Sequence, residues 1–235
     1  LAGRLHELLG RHREEIRRHA WEKVNVMKLY SYWRSTTSFR VRIALHMKGV
    51  AFETLPVDLV KGEQRAQDYQ VINPGKGVPA LVLDDGTVLT QSLTILDYLD
   101  RVYPKPALLP DDPIERAKVQ AAAHAIALDV HPVNNLRVGG QLKALGHSQD
   151  EVVTWMNHWM TEGFIAFQSM IKTDTKYAFS DVPGLADICL VAQLYNAHRW
   201  GTDMKPFARL LEIEQACLAL PAFDAARPEN QPDAG

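Results

Sequence analysis

The stretch Tyr30-Ser31-Tyr32-Trp33-Arg34-Ser35-Thr36-Thr37-Ser38-Phe39-Arg40-Val41-Arg42-Ile43-Ala44-Leu45 changes character part-way along. Its start completes a strand candidate, residues 28–32. Its end belongs to a helix over residues 38–48, where Val41, Ala44, Leu45 and Met47 fall at helical spacing and Gly49 supplies a C-terminal stop. Between them run the hydroxyls Ser35, Thr36, Thr37 and Ser38. A hydroxyl at a helix start accepts from backbone N–H groups that have no partner within the helix, and that duty explains one of them. The second duty open to such a hydroxyl is to hold a thiolate. A free thiol titrates near pKa 8.5, helix N-termini lower that value, and each unit is worth about 1.4 kcal/mol.

Outward from this stretch, residues 27–107 read as alternating strand and helix. Residues 52–57 form a second strand candidate and residues 62–71 a polar helix. Residues 78–83 and 87–90 flank Asp84-Asp85-Gly86, a hairpin signal, and residues 93–103 form a helix ended by Pro104. The order β-α-β-α-β-β-α predicts an α/β unit with a mixed sheet. After Pro104-Lys105-Pro106 the apolar period becomes helical throughout. Helices are predicted over residues 115–141, 149–171, 185–199 and 207–218, with a loose polar tail from Arg227. Residues 1–26 stand apart, with Leu5, Leu8, Leu9, Ile16 and Trp21 set among Arg and Glu. They read either as an amphipathic arm or as sequence upstream of a start at Met27. The expected division is therefore an extension over 1–26, an α/β unit over 27–107 and an all-α unit over 112–230.

Bulk properties narrow the partners. A formal charge of −2 gives no overall pull toward nucleic acid or anionic membrane. No apolar run reaches the roughly 18 residues of a membrane span, and the N-terminus lacks a secretory apolar core. Cys189 and Cys217 are far apart in sequence and show no metal-ligand spacing, so buried thiols of a reducing cytoplasm are expected, with no metal.

Two further segments bear on chemistry. Asn73-Pro74-Gly75-Lys76-Gly77-Val78-Pro79 leads into the third strand. A cis Val78-Pro79 bond would leave the Val78 backbone able to pair with an extended peptide; otherwise the segment is an ordinary loop. Gln91-Ser92 precedes a helix. Ser92 is a candidate N-cap there, and the same place suits a carboxylate.

Taken in order, the strand–Ser-Thr-Thr–helix, Val78-Pro79 and Gln91-Ser92 segments resemble the thioredoxin-like, glutathione-binding domain of glutathione transferases. The stretch from Tyr30 to Leu45 is similar to the zeta class, which holds the maleylacetoacetate and maleylpyruvate isomerases. The resemblance runs from Met27 to about Asp233. It implies a thioredoxin-like domain followed by an all-helical one, glutathione as cofactor, and a homodimer. By the family pattern Val78 meets the cysteinyl part of glutathione, and Gln91 with Ser92 the γ-glutamyl carboxylate. His131 and Asn135, in His131-Pro132-Val133-Asn134-Asn135-Leu136-Arg137, lie at the cleft, and Thr37 lies at the glutathione site. Where zeta enzymes read Ser-Ser-Cys, this chain reads Ser35-Thr36-Thr37, so any role of that thiol is lost. Pro183-Gly184-Leu185-Ala186-Asp187 matches a helix start commonly read Thr-Leu-Ala-Asp, with Gly184 replacing the hydroxyl cap and losing the side-chain half of a capping box with Asp187.

The implied catalytic set is Ser35 as donor to the glutathione sulfur, Thr36 as second choice, Tyr30 and Tyr32 as third, and Arg34 and Arg199 as binders of a small dicarboxylate. The implied reaction is cis–trans isomerisation of maleylacetoacetate to fumarylacetoacetate in aromatic amino-acid breakdown. Alternatives are maleylpyruvate isomerisation, glutathione chemistry on α-halo acids, and a non-catalytic glutathione-fold binding protein.

Overall fold

The computed structural model describes residues 26–234, so the expectation about residues 1–26 falls almost wholly outside the described residues. The first half is β1 Met27–Ser31, α1 Thr36–Met47, β2 Phe52–Pro56, α2 Gln67–Ile72, β3 Ala80–Val82, β4 Val88–Thr90 and α3 Ser92–Val102. The strands form a four-stranded mixed sheet ordered β2-β1-β3-β4. β1 runs parallel to β2, placing Leu29 beside Thr54, and antiparallel to β3, placing Leu29 beside Leu81. The remaining helices are α4 Pro113–His124, α5 His131–Val133, α6 Leu136–Ala144, α7 Gln149–Met170, α8 Leu185–Trp200, α9 Ala208–Leu218 and α10 Pro221–Ala226.

Starts of the long helices follow local chemistry. Asp112 accepts from the Ile114 and Glu115 N–H groups ahead of Pro113, whose missing N–H costs nothing at a first turn. Ser148 and Glu151 form a reciprocal capping box at α7.

The single helix expected over residues 115–141 is a correction. α4 passes into a wide π turn, Ala125–Val130, then α5, and restarts at α6. Pro132 is the cause. It has no N–H to donate, and its ring would strike the carbonyl one turn back, so the backbone widens ahead of it. The bulge needs room, and Gly163 on α7 provides it: a Cβ there would lie 2.0 Å from a Val130 methyl.

α1 is the hub. It contacts α3, α8 and α10, and its residues from Ser38 to Leu45 are buried on every side. That enclosure takes in two arginines, Arg40 and Arg42. Arg42 is fully provided for: Nε donates to the Ala226 carbonyl, Nη1 to Ser31 Oγ and the Tyr32 carbonyl, and Nη2 to the Trp33 carbonyl. The Trp33 N–H donates to Asp233 Oδ2 at 3.0 Å. Pro228 and Gln231 are buried. The tail expected to be loose is therefore packed back against α1 and the loop after β1. Its anchors are hydrogen bonds to backbone, which a polar composition conceals.

The linker is fixed too. Lys48 pairs with Asp100 at 2.7 Å, and Asp100 also accepts from the Leu108 N–H. One hydrophobic core runs through both halves, from Leu29 and Ile43 to Ile188 and Phe223. Among the described residues no helix is long and apolar enough to cross a membrane, and no cluster of His, Cys, Asp and Glu is placed to hold a metal.

Candidate active site

The loop between β1 and α1 builds the first part of the site. Ser35 is the N-cap of α1, and its Oγ accepts from the Ser38 N–H at 3.2 Å. Thr37 Oγ1 donates to the Val78 carbonyl at 2.8 Å and lies 2.9 Å from Ser35 Oγ. A carbonyl cannot donate, so the Thr37 proton is committed to Val78, and the Ser35 proton must point to Thr37. The Val78-Pro79 bond is cis, as the sequence allowed. Ser35, Thr37 and Val78 are thus one chain of hydrogen bonds. Ser35 Oγ keeps a lone pair on the helix N–H and a proton able to turn outward.

Thr36 points elsewhere. Buried, it meets His131 Nδ1 at 2.9 Å. The widened turn before Pro132 delivers that ring to α1. Two bonds from α7 hold the segment: Trp155 Nε1 donates to the Val133 carbonyl and Asn134 Nδ2 to the Met156 carbonyl. Burial, with the nearby charges of Arg40 and Arg137, pushes His131 down to about 3, so its ring is neutral at physiological pH. Asn135 caps α6, accepting from the Arg137 N–H, and the structure shows no contact from it to Ser35 or Thr37.

Gln91 and Ser92 open α3, with one change to the expected capping. Gln91 holds the N-cap position and Ser92 is the first helical residue. Gln91 has φ +68°, a conformation that non-glycine residues seldom adopt, and α3 has no side-chain cap. Ser92 Oγ instead accepts from Arg40 Nη1 at 3.4 Å. The helix therefore begins with N–H groups that no side chain caps, at the positive end of its dipole.

Arg34 and Arg199 come from distant parts of the chain and share one electrostatic environment. Burial and then the Arg34 charge push Arg199 below its ordinary value, while Tyr195 and Tyr32 act the other way. Each guanidinium stacks on a tryptophan, Arg34 on Trp33 at 4.1 Å and Arg199 on Trp200 at 4.7 Å. Tyr195 lies against Phe39 of α1, with centroids 6.3 Å apart. The sequence reading missed it: a tyrosine on a helix mostly read as core carries no local signal. Tyr30 packs edge-on against Tyr69, a core contact rather than a catalytic one. A cavity behind the linker, lined by Leu93, Asp97, Leu108 and Gln120, contains none of these residues.

Comparison with known proteins identifies the family. Residues 25–101 match the model of the glutathione S-transferase N-terminal domain. A protein of Pseudomonas aeruginosa named maleylacetoacetate isomerase is 44% identical over 209 residues, 88% of this chain and 98% of the relative. The chain belongs to the zeta class of glutathione transferases. Among solved structures, a holo maleylpyruvate isomerase described as a bacterial zeta-class transferase superposes with TM-score 0.86 at 40% identity, covering 88% of this chain and all of the other. The maleylacetoacetate isomerase of Anaeromyxobacter dehalogenans, described with glutathione in its active site, gives TM-score 0.81 at 39% identity over 89% of this chain and 98% of its own.

The residues of this zeta-class chain suit glutathione on their own chemistry. The uncapped start of α3 suits a carboxylate, and the Ser35 hydroxyl at another helix start suits a sulfur anion. The fully buried Arg40 has Nε and Nη2 without partners, which favours an anion close by.

Proposed function

We propose that this protein is a glutathione-dependent cis–trans isomerase acting on maleylacetoacetate to give fumarylacetoacetate, a step in aromatic amino-acid breakdown. The observation that carries the reading is the Ser35–Thr37–Val78 hydrogen-bond chain in a loop that also holds Arg34, which shares its surroundings with Arg199. Relatives matched over almost their whole length that carry the maleylacetoacetate isomerase name support it.

Bound glutathione supplies a thiol that, once ionised, adds reversibly to an activated double bond and leaves after rotation. Ser35 turns its proton from Thr37 to the sulfur, while the Ser38 N–H keeps its Oγ polarised. Arg34 and Arg199 hold the two negative ends of a small dicarboxylate, a task for which paired N–H donors are suited. Their tryptophan stacking limits the side-chain freedom lost on binding. Thr36 is bound to His131 and has its role in holding that segment against α1 rather than in proton donation.

The reading extends to a homodimer, supported by apolar side chains left on the surface of α4 and the π turn, Ile114 and Leu128. It extends also to a reducing compartment, the cytoplasm, consistent with two buried free thiols, Cys189 and Cys217.

The test is the ultraviolet absorbance of maleylacetoacetate, and in parallel of maleylpyruvate, with the protein in the presence and absence of glutathione, beside Ser35→Ala. Glutathione-dependent turnover should fall roughly 100- to 1,000-fold in the variant, the usual effect of removing one donor to a reacting anion. Faster turnover of maleylpyruvate would reassign the substrate. No turnover of either, with glutathione bound, would leave glutathione chemistry on another substrate, such as an α-halo acid, or a binding protein.

A further inference from the structure

Two arginines two positions apart on α1, Arg40 and Arg42, are both buried, yet only one has its donors satisfied. Every guanidinium nitrogen of Arg42 has a partner. Arg40 is 1% exposed, Nη1 reaches only Ser92 Oγ, and Nε and Nη2 reach nothing. Among the described residues no carboxylate pairs with it. Arginine cannot shed its proton in a protein, so the charge stays. Its neighbour Cys189 does not offset it, because burial raises that thiol and keeps it neutral. A buried cation with no counter-charge is a costly feature, and an apolar side chain of similar volume would serve the packing better.

The direction of the Arg40–Ser92 bond shows where the missing anion belongs. Arg40 can only donate, so Ser92 Oγ accepts and its own proton is free to point away. Ser92 does not cap its helix, and Gln91 just before it holds a positive φ of +68° and supplies no side-chain cap either. Guanidinium, hydroxyl and helix terminus all favour negative charge at one spot. A donor chain headed by a cation is polarised along its length, which strengthens its last bond.

We propose that Arg40 is the buried counter-charge for the γ-glutamyl carboxylate of glutathione, acting through Ser92, and that the free protein carries this charge uncompensated so that ligand binding neutralises it. This rests on the glutathione reading of the site. Arg40 is a positioning residue: it touches Ser92, and Ser92 touches the ligand.

The experiment measures binding of glutathione and of γ-aminobutyryl-cysteinyl-glycine, which lacks only that carboxylate, to wild-type protein and to Arg40→Met by calorimetry. Melting of the free proteins is followed alongside. Wild type should prefer glutathione, and Arg40→Met should lose roughly 10- to 100-fold in glutathione affinity, the span for a hydrogen bond to a charged group. Its affinity for the analogue should be unchanged, and its melting temperature in the free state equal or higher. Equal losses for both ligands together with a lower melting temperature would show Arg40 to be structural and overturn the proposal; so would undiminished glutathione binding. Should Arg40→Met not fold, Arg40→Gln, which keeps a donor for Ser92 and removes the charge, carries the same comparison. Wild-type protein that binds neither ligand overturns the glutathione reading itself, and this proposal with it.

Discussion

The Leu108 carbonyl oxygen occupies the place where a side chain on residue 184 would begin: a Cβ built on Gly184 would lie 2.8 Å from it. The same carbonyl accepts the Leu185 N–H at 2.8 Å, so the linker is bonded to the start of α8. Gly184 is thus more than a weakened cap. The hydroxyl residue common at this place in related proteins does not fit here unless the linker backbone moves. Gly184→Thr should lower stability by about 1–3 kcal/mol, the usual cost of overpacking against atoms that cannot rotate aside. The urea midpoint measures it, and an unchanged or higher midpoint would contradict the packing argument.

Gly184 has no side chain to cap α8, but the other half of the capping box is present. Asp187 Oδ2 accepts from the Gly184 N–H and Oδ1 from the Ala178 N–H, each at 2.8 Å. Asp187→Asn keeps the shape and turns one acceptor into a donor facing a donor. It should cost about 1–3 kcal/mol, the penalty for a buried polar group left unpaired, read as the same midpoint at neutral pH.

Asp187 and His131 make opposite contributions to the pH dependence of stability. Burial, opposed by the hydrogen bonds from Gly184 and Ala178, raises Asp187 to about 6 from an ordinary 3.8. The folded state binds more protons there, so between about pH 4 and 6 this group makes stability fall as pH rises. His131 is depressed to about 3 from 6.5, so the unfolded chain binds more protons over the same window and stability rises with pH. In the wild type the two slopes offset one another. Removing one should expose the other at up to about 1.4 kcal/mol per pH unit: stability rising with pH in Asp187→Asn and falling with pH in His131→Asn. Urea midpoints of both variants at about pH 4.5 and 6 test this, and parallel pH trends in the two variants would count against it.

Thr37 stands where related enzymes carry a cysteine, and its committed proton orients Ser35. Thr37→Val removes the Ser35 acceptor and the Val78 donor together. It should raise the glutathione KM roughly 2- to 10-fold, the value of one net hydrogen bond, whereas Thr37→Ser should behave as wild type. Steady-state kinetics with glutathione as the varied ligand separate the two variants, and equal impairment in both would point to packing of the threonine methyl instead.

Arg199 should affect the second substrate alone. Arg199→Leu is expected to raise the KM of the dicarboxylate roughly 10- to 100-fold, as for loss of a hydrogen bond between charged groups, and to leave the KM of glutathione unchanged. Arg199→Lys should recover part of the loss, since charge persists while the paired donors do not. A change confined to glutathione would remove Arg199 from the substrate end of the site.

Much of this was legible in the sequence because periodicity and turn chemistry are local. The strand, hydroxyl loop and helix from Met27 to Met47 and the hairpin around Gly86 lie within a residue or two of their expected bounds. The rest depended on distant contacts. Pro132 marked a break inside the helix expected over residues 115–141, but its effect could be overlooked because the apolar stripe continues past it. Nothing local marks Arg40 and Arg42 as buried, since charge on a helix normally means water; only the contacts of α1 with α3, α8 and α10 show that it has no solvent side. Ser92 satisfied the pattern for a cap and sits one place too late to be one, which only backbone angles reveal. Tyr195 comes within electrostatic reach of Arg34 by tertiary packing alone.

The Arg42–Ala226 and Trp33–Asp233 bonds span 184 and 200 positions of the chain. During synthesis, the loop that carries Ser35 and the helix behind it emerge early. They cannot close around Arg42 until Ala226 has been translated, because the carbonyl that the guanidinium needs comes from there. The α/β half must wait with a buried-to-be arginine in water and one flank of α1 bare, while the helices that cover it are still being made. Such late closure slows folding and lengthens the time in which apolar surface is open to misassembly. The loop that carries Ser35 and the helix behind it thus take their final packing only after partners 184 and 200 positions downstream have been made.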